Sequence, residues 1–200
     1  IGFFTITFES GVAAGVRRVF GTSATGMSAF FDAITLRPDM QMIISLAESQ
    51  ATSMAHGHEL ATGRTSVLIV PGVAVPSTMN NLDNAWKDRS SILVLADGTS
   101  NYFEGRNGFQ QMDNWLESMV AFTKWRWELR NERQIAEMIR RAIKVSATPP
   151  GGRVPAHAVR PGEPGFDGDH LPRDVLRQAG GHGRGRRLRA VRRAQGAAGA

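Results

Sequence analysis

The chain has no cysteine among its 200 residues. Neither a disulfide framework nor a thiolate metal site is therefore open to it, and a reducing, cytoplasmic setting is expected. No apolar run reaches membrane-spanning length and nothing at the start reads as a signal peptide, so no membrane partner is expected. The chain opens Ile1-Gly2 without an initiator methionine, as a fragment would. The body also lacks a charge excess: residues 1–150 hold 14 Lys/Arg against 14 Asp/Glu, and residues 151–200 hold 10 Arg against 4 Asp/Glu. The whole net charge of +6 thus resides in the last fifty residues, and the body gives no electrostatic case for nucleic acid.

Three phosphate or metal motifs fail their own spacing. Gly11, Gly15 and Gly21 do not form G-x-G-x-x-G. Gly57-His-Glu-Leu-Ala-Thr-Gly63-Arg has five residues between its glycines, and arginine where a P-loop needs lysine. His58-Glu59-Leu-Ala-Thr62 lacks the second histidine of a zinc-protease helix. His56 and His58, two apart, point away from each other on a helix and read as surface or packing residues.

Residues 151–200 lack Lys, Ile, Ser, Thr, Met, Asn, Trp and Tyr altogether, and hold 11 of the 22 glycines. Such a stretch buries too little apolar area to offset its ordering entropy, so a disordered tail is expected after a domain spanning residues 1–150. A shifted reading frame in GC-rich DNA would yield this composition. A native linker, or an Arg/Gly tail for nucleic acid around Gly181-His-Gly-Arg-Gly-Arg-Arg-Leu-Arg189, are the alternatives.

What the body does have is a repeated alternation of short apolar runs and helical patterns. Met40-Gln-Met-Ile-Ile-Ser-Leu46, Thr65-Ser-Val-Leu-Ile-Val70 and Ser91-Ile-Leu-Val-Leu-Ala96 are of strand length. Between the first two, Ala51, Met54, Ala55 and Gly57 suggest one small or apolar helical face, closed by Thr62-Gly63. Between the last two, Pro71-Gly-Val-Ala-Val-Pro-Ser-Thr78 reads as a loop, followed by a helix from Met79 to Trp86 and a polar turn Lys87-Asp-Arg. This is a βαβ unit, which implies parallel pairing and a right-handed crossover. Upstream, a helix ending near Val16, a strand Arg17-Arg-Val-Phe20, a small-residue turn Gly21-Thr-Ser-Ala-Thr-Gly26 and a helix from Met27 repeat the order. Downstream come a polar loop from Asp97 to Gly108, a short strand Phe122-Thr-Lys-Trp125 and an amphipathic helix from Glu132 to Val145. The tryptophans and most phenylalanines read as core and dimer packing rather than a base-stacking platform. The fold class is α/β, an open parallel sheet with helices on both faces.

Glu48 sits where the first of these strands turns into its helix, at the carboxyl edge where open α/β sheets bind ligands. Alone, it could simply favour the positive end of its helix. The string Glu48-Ser-Gln-Ala-Thr-Ser-Met-Ala-His-Gly-His-Glu-Leu-Ala-Thr-Gly-Arg64, between two hydrophobic strands, resembles the pyrimidine-binding domain of thiamine-diphosphate-dependent enzymes. The acetolactate synthase and benzoylformate decarboxylase branch is the most similar. Leu82-Asp-Asn-Ala-Trp86, Phe109-Gln-Gln-Met-Asp113 and Phe122-Thr-Lys-Trp125 extend the resemblance, which runs over residues 8–152 and stops mid-motif at Gly152.

The resemblance implies thiamine diphosphate as cofactor and a 2-oxo acid as substrate of the intact enzyme, which would be a decarboxylase, lyase or carboligase. It implies a homodimer or homotetramer, and Mg2+ and the diphosphate held by a domain absent from this chain. Glu48 would be the carboxylate that activates the aminopyrimidine, its pKa raised by apolar neighbours such as Met54 and the nearby alanines. Thr25, Pro71, Gly72 and Val73 would border the pyrimidine and substrate. Ser23-Ala24 replaces the family's Pro-Gly, and Val70 stands where aromatic decarboxylases carry a histidine, so a benzoylformate-type decarboxylation is not implied.

Overall fold

In the computed structural model, residues 2–24, 27–98, 106, 110, 112, 114–148 and 154–159 are described. Six parallel strands form one sheet in the order β2-β1-β3-β4-β6-β5. They are β1 (Arg18–Gly21), β2 (Gln41–Ile44), β3 (Ser66–Val70), β4 (Ile92–Asp97), β5 (Thr123–Leu129) and β6 (Val154–Val159). The helices are α1 (Gly2–Ala13), α2 (Ser28–Thr35), α3 (Glu48–Thr62), α4 (Met79–Lys87), α5 (Trp115–Ser118) and α6 (Ile135–Ala147). Among the described residues no helix is long and apolar enough to cross a membrane.

Why the strands read as continuous apolar runs is plain from the packing: β3 is buried along its whole length, as is β4 from Ile92 to Ala96. Alternate residues feed two separate cores. Val67, Ile69, Leu93 and Leu95 pack with Phe8, Phe30, Ile135 and Ile139 beneath α1, α2 and α6. Leu68, Val70, Val94 and Ala96 pack with Ala51, Ala55, Leu82 and Ala85 beneath α3 and α4. The expected parallel sheet with helices on both faces is therefore the one observed, and β3–α4–β4 is its parallel unit.

Several boundaries differ from the sequence reading. Residues 72–78 are wound into a 3₁₀ helix instead of an open loop. The strand expected at Phe122–Trp125 runs on to Leu129, and α6 is entered through a 3₁₀ turn at Glu132–Gln134. The largest difference is β6. Residues 154–159 were assigned to the tail, yet they pair parallel with both β4 and β5. Pro155, which cannot donate to a ladder, faces Trp125 at the register irregularity between Thr123 and Trp125, where its missing N–H is tolerated. The sheet therefore extends past the boundary drawn at residue 150. Residues 160–200, most of the expected tail, lie outside the described residues, as does most of the 97–108 loop and of the Phe109–Asp113 motif.

Candidate functional site at the carboxyl edge of the sheet

Glu48 is the first residue of α3, and its approach is set by two strand ends. Gly21 ends β1 in register with Ile44 and Ile69. The Ser45 N–H donates to the Gly21 carbonyl at 2.9 Å, which holds the exit of β2 against the exit of β1. A Cβ at Gly21 would stand 2.2 Å from the Ile69 carbonyl oxygen, so only glycine lets β1 lie this close to β3. After these two exits, Thr22 and Glu48 face each other. The hydroxyl of Thr22, a residue 5% exposed, donates to Glu48 Oε1 at 3.0 Å. Ala47 occupies the N-cap of α3 without a side-chain cap bond, so the Glu48 carboxylate lies beside the helix entrance while bonded across to another element.

The face that α3 buries only partly matches the one the spacing suggested. Ala51, Thr52 and Ala55 are buried, whereas Met54 is 36% exposed and Gly57 is exposed. At about 100° per residue, positions 51, 52 and 55 share a face with 48, while 54 and 57 fall outside it. Thr52 is tolerated inside because its hydroxyl donates to the Glu48 carbonyl at 2.7 Å. Met54 therefore does not cover the half-buried Glu48 carboxylate in this chain.

Of the other expected site residues, Pro71 and Gly72 are buried at the exit of β3, and Val73 is 39% exposed. Thr25 lies outside the described residues. The exit of β3 is pinned to that of β4: the Gly72 N–H donates to Asp97 Oδ1 at 2.7 Å. A Cβ at Gly72 would meet the Asp97 carbonyl at 2.2 Å. Burial pushes the Asp97 carboxyl up, and the bond from Gly72 partly offsets this. Asn81 of α4 donates to the Ser49 carbonyl at 2.8 Å and so ties α4 to the first turn of α3.

Sequence reading did not single out Thr22, Asp97 or Asn81. A hydroxyl directly after a strand that ends in glycine, at the ligand-binding edge, was the one signal available for Thr22. The outcome for His58 is clearer: it packs on Phe20 with ring centroids 5.4 Å apart, at the opposite end of α3 from Glu48. An arginine can only donate, so Arg18, 3.2 Å away, makes Nε2 an acceptor and leaves Nδ1–H to donate to Ser66 Oγ at 2.8 Å. Burial, with the cations of Arg18 and Arg64, lowers the His58 pKa. A groove of about 440 Å³ between α3 and α4, walled by Ser53, His56, Leu60, Asn84 and Asp88, does not include Glu48.

Taken together, the edge offers two carboxylates, Glu48 bonded to Thr22 and Asp97 bonded to Gly72, with buried backbone at 21–22 and 71–72 and the exposed apolar Val73 beside them. Among the described residues no group of three or more His, Asp or Glu could hold a metal ion.

Comparison with known proteins identifies the family. The family described as "Thiamine pyrophosphate enzyme, N-terminal TPP binding domain" matches residues 6–117, more than half of the chain. The acetolactate synthase catalytic subunit, mitochondrial, of Aspergillus candidus is 25% identical over 162 residues, covering 80% of this chain and 21% of that protein. The acetolactate synthase large subunit of Buchnera aphidicola subsp. Acyrthosiphon pisum (strain APS) is 25% identical over 100 residues, or 50% of this chain and 18% of that protein. The chain thus spans about a fifth of the length of these curated relatives. The same fold is seen in the Rhodococcus jostii RHA1 thiamine diphosphate-dependent 4-hydroxybenzoylformate decarboxylase, with a TM-score of 0.75 at 19% identity over 91% of this chain and 34% of that one. It is seen again in the benzoylformate decarboxylase of Polynucleobacter necessarius, with a TM-score of 0.73 at 16% identity over 80% of this chain and 29% of that one. The chain belongs to the thiamine pyrophosphate enzyme family, as its N-terminal TPP-binding domain.

Proposed function

We propose that this chain supplies the aminopyrimidine half of the active site in a thiamine-diphosphate-dependent enzyme acting on a 2-oxo acid, as a decarboxylase, lyase or carboligase. The observation that supports it most is the Glu48 carboxylate at the carboxyl edge of the sheet, with one oxygen bonded to Thr22. When bound, the cofactor would supply the carbanion-stabilising chemistry of its thiazolium ring. The chain's own part is to hold the heterocycle. Glu48 would hydrogen-bond a ring nitrogen of the aminopyrimidine and so favour the tautomer whose exocyclic nitrogen accepts a proton. Pro71, Gly72 and Val73, with Thr25, would line the pocket around it, and the buried backbone at 71–72 would keep water from that side.

Mg2+ and the diphosphate would be bound by a further domain, contributed by a second subunit in a homodimer or homotetramer. Uncovered apolar side chains near the edge support such a partner: Ile44 and Leu46 at the exit of β2 are 59% and 100% exposed. In keeping with this, the 200-residue chain alone should bind thiamine diphosphate weakly and catalyse nothing. Tight, magnesium-dependent binding in a calorimetric titration of the chain would contradict that. For the residue assignment, Glu48→Gln in the complete enzyme should slow deuterium exchange at the thiazolium C2 by about a hundredfold or more, the scale of lost acid–base assistance. Exchange at the wild-type rate would remove Glu48 from this role.

A further inference from the structure

We infer that Thr22 is a positioning residue for Glu48: it holds Oε1 so that Oε2 is the oxygen presented to the ligand. This rests on the reading of Glu48 as the pyrimidine-binding carboxylate and adds a residue to it. The last torsion of a glutamate side chain is soft and roughly two-fold, so a half-buried carboxylate with no partner would sample many orientations. One hydrogen bond to one oxygen sets the plane of the group. Thr22 is well placed to make that bond, because the residue is buried and bulk water has little access to it.

The backbone at the two exits also gives the pair little freedom. Gly21, immediately before Thr22, is locked against the Ile69 carbonyl and accepts the Ser45 N–H. The entrance of α3 is held in turn, since Ser45 Oγ reaches the Ala47 carbonyl and Gln50 Oε1, each at 3.1 Å. The hydroxyl and the carboxylate therefore come from two segments whose backbones the Ser45–Gly21 bond holds against each other, apart from the Thr22–Glu48 contact itself. This is the arrangement expected of a preorganised pair, in which supporting contacts lock the residue that meets the ligand. A threonine suits the task better than a longer polar side chain, because its β-branch restricts χ1 and aims the hydroxyl.

The test begins with the 200-residue chain and needs no cofactor. In equilibrium urea unfolding, Thr22→Val should lower the folding constant about tenfold, the scale of a hydrogen bond to a charged group. The same change made in a Glu48→Ala background should cost less than about threefold, and Thr22→Ser should restore most of the loss. Equal losses in both backgrounds, or no rescue by serine, would overturn the proposal. Should Thr22→Val fail to fold, the wild-type chain still decides. The Thr22 hydroxyl proton should be protected from solvent exchange in NMR spectra, and Glu48→Ala should abolish the protection; an unprotected hydroxyl refutes the bond. In the complete enzyme Thr22→Val should lower kcat with KM little changed, and should add nothing to Glu48→Gln. The two ideas fail separately. Coupling between Thr22 and Glu48 with undiminished C2 exchange in Glu48→Gln would sink the reading of Glu48 and leave the pair intact. Absence of coupling would sink the role of Thr22 alone.

Discussion

At the scale of single residues, two glycines and one aspartate carry more of the site's geometry than their side chains suggest. Gly21→Ala would drive a methyl into the Ile69 carbonyl 2.2 Å away, where rigid backbone cannot yield. We expect a loss of about 1–3 kcal/mol or more in urea unfolding, the range of overpacked cores. Asp97 poses a charge question. Its folded pKa is raised by burial, so the charged form is disfavoured in the native state. Its contribution is thus most favourable below the ordinary value of 3.8 and is lost as pH rises through the raised folded value. Asp97→Asn keeps an acceptor for the Gly72 N–H and removes that pH dependence, so at neutral pH it should unfold at a urea concentration equal to or above wild type. Asp97→Ala leaves the Gly72 N–H unpaired and should cost about 1–3 kcal/mol. A destabilised asparagine variant alongside a neutral alanine variant would contradict this account.

At the scale of elements, α3 works as a rod fastened at both ends, by Thr22 at Glu48 and by Arg18 and Ser66 at His58. The His58 fastening requires a neutral ring. Its folded pKa is lowered, so stability is whole above the ordinary histidine value of 6.5 and falls as pH drops through the folded value. Arg18 of β1 and the Arg64 cation oppose the charged ring, and Glu59 on α3 favours it. Between about pH 8 and pH 5 the urea midpoint of wild type should therefore fall further than that of His58→Gln. Parallel curves for the two would show that the histidine does not titrate against folding. α6 makes a simpler case. Ile139 is 1% exposed in the core under the sheet, and Ile139→Ala should cost about 2–5 kcal/mol.

For the molecule as a whole, the informative element is β6, which lies between β4 and β5. A chain ended at Gly152 would leave β4 with an open edge and β5 without its paired strand. A chain ended shortly after Val159 would keep both ladders. We expect the shorter chain to lose stability, with the amides of Thr123–Leu129 exchanging fast in hydrogen-exchange measurements, and the longer one to match the full chain. Equal protection in both would mean that β6 adds nothing to the sheet. The change of composition at residue 151 points away from a strand here. The assignment turns on what β4 and β5 need as a partner, which local composition does not report.

The amino-acid sequence by itself determined the class of fold and pointed to the edge that carries the candidate site. Runs such as Val67 to Val70 and Ile92 to Ala96 have only one stable use, as strands covered on both faces. The alternation with helices then forces a parallel sheet, and a carboxylate at a strand exit falls at its ligand-binding edge. Within the string that carries the family resemblance, Ala51 and Ala55 are buried against the sheet, where close helix–sheet packing leaves little room for a larger side chain. What only the tertiary structure decided are the contacts between segments far apart in sequence. Thr22 meets Glu48 across 26 residues, and Gly72 meets Asp97 across 25. Whether Met54 or Thr52 is buried depends on how α3 is rotated against Phe20 and Leu68, which helical period alone does not set. Hydrophobic pattern is written locally in the chain; the distance between two side chains exists only once the strands that carry them have been brought into register.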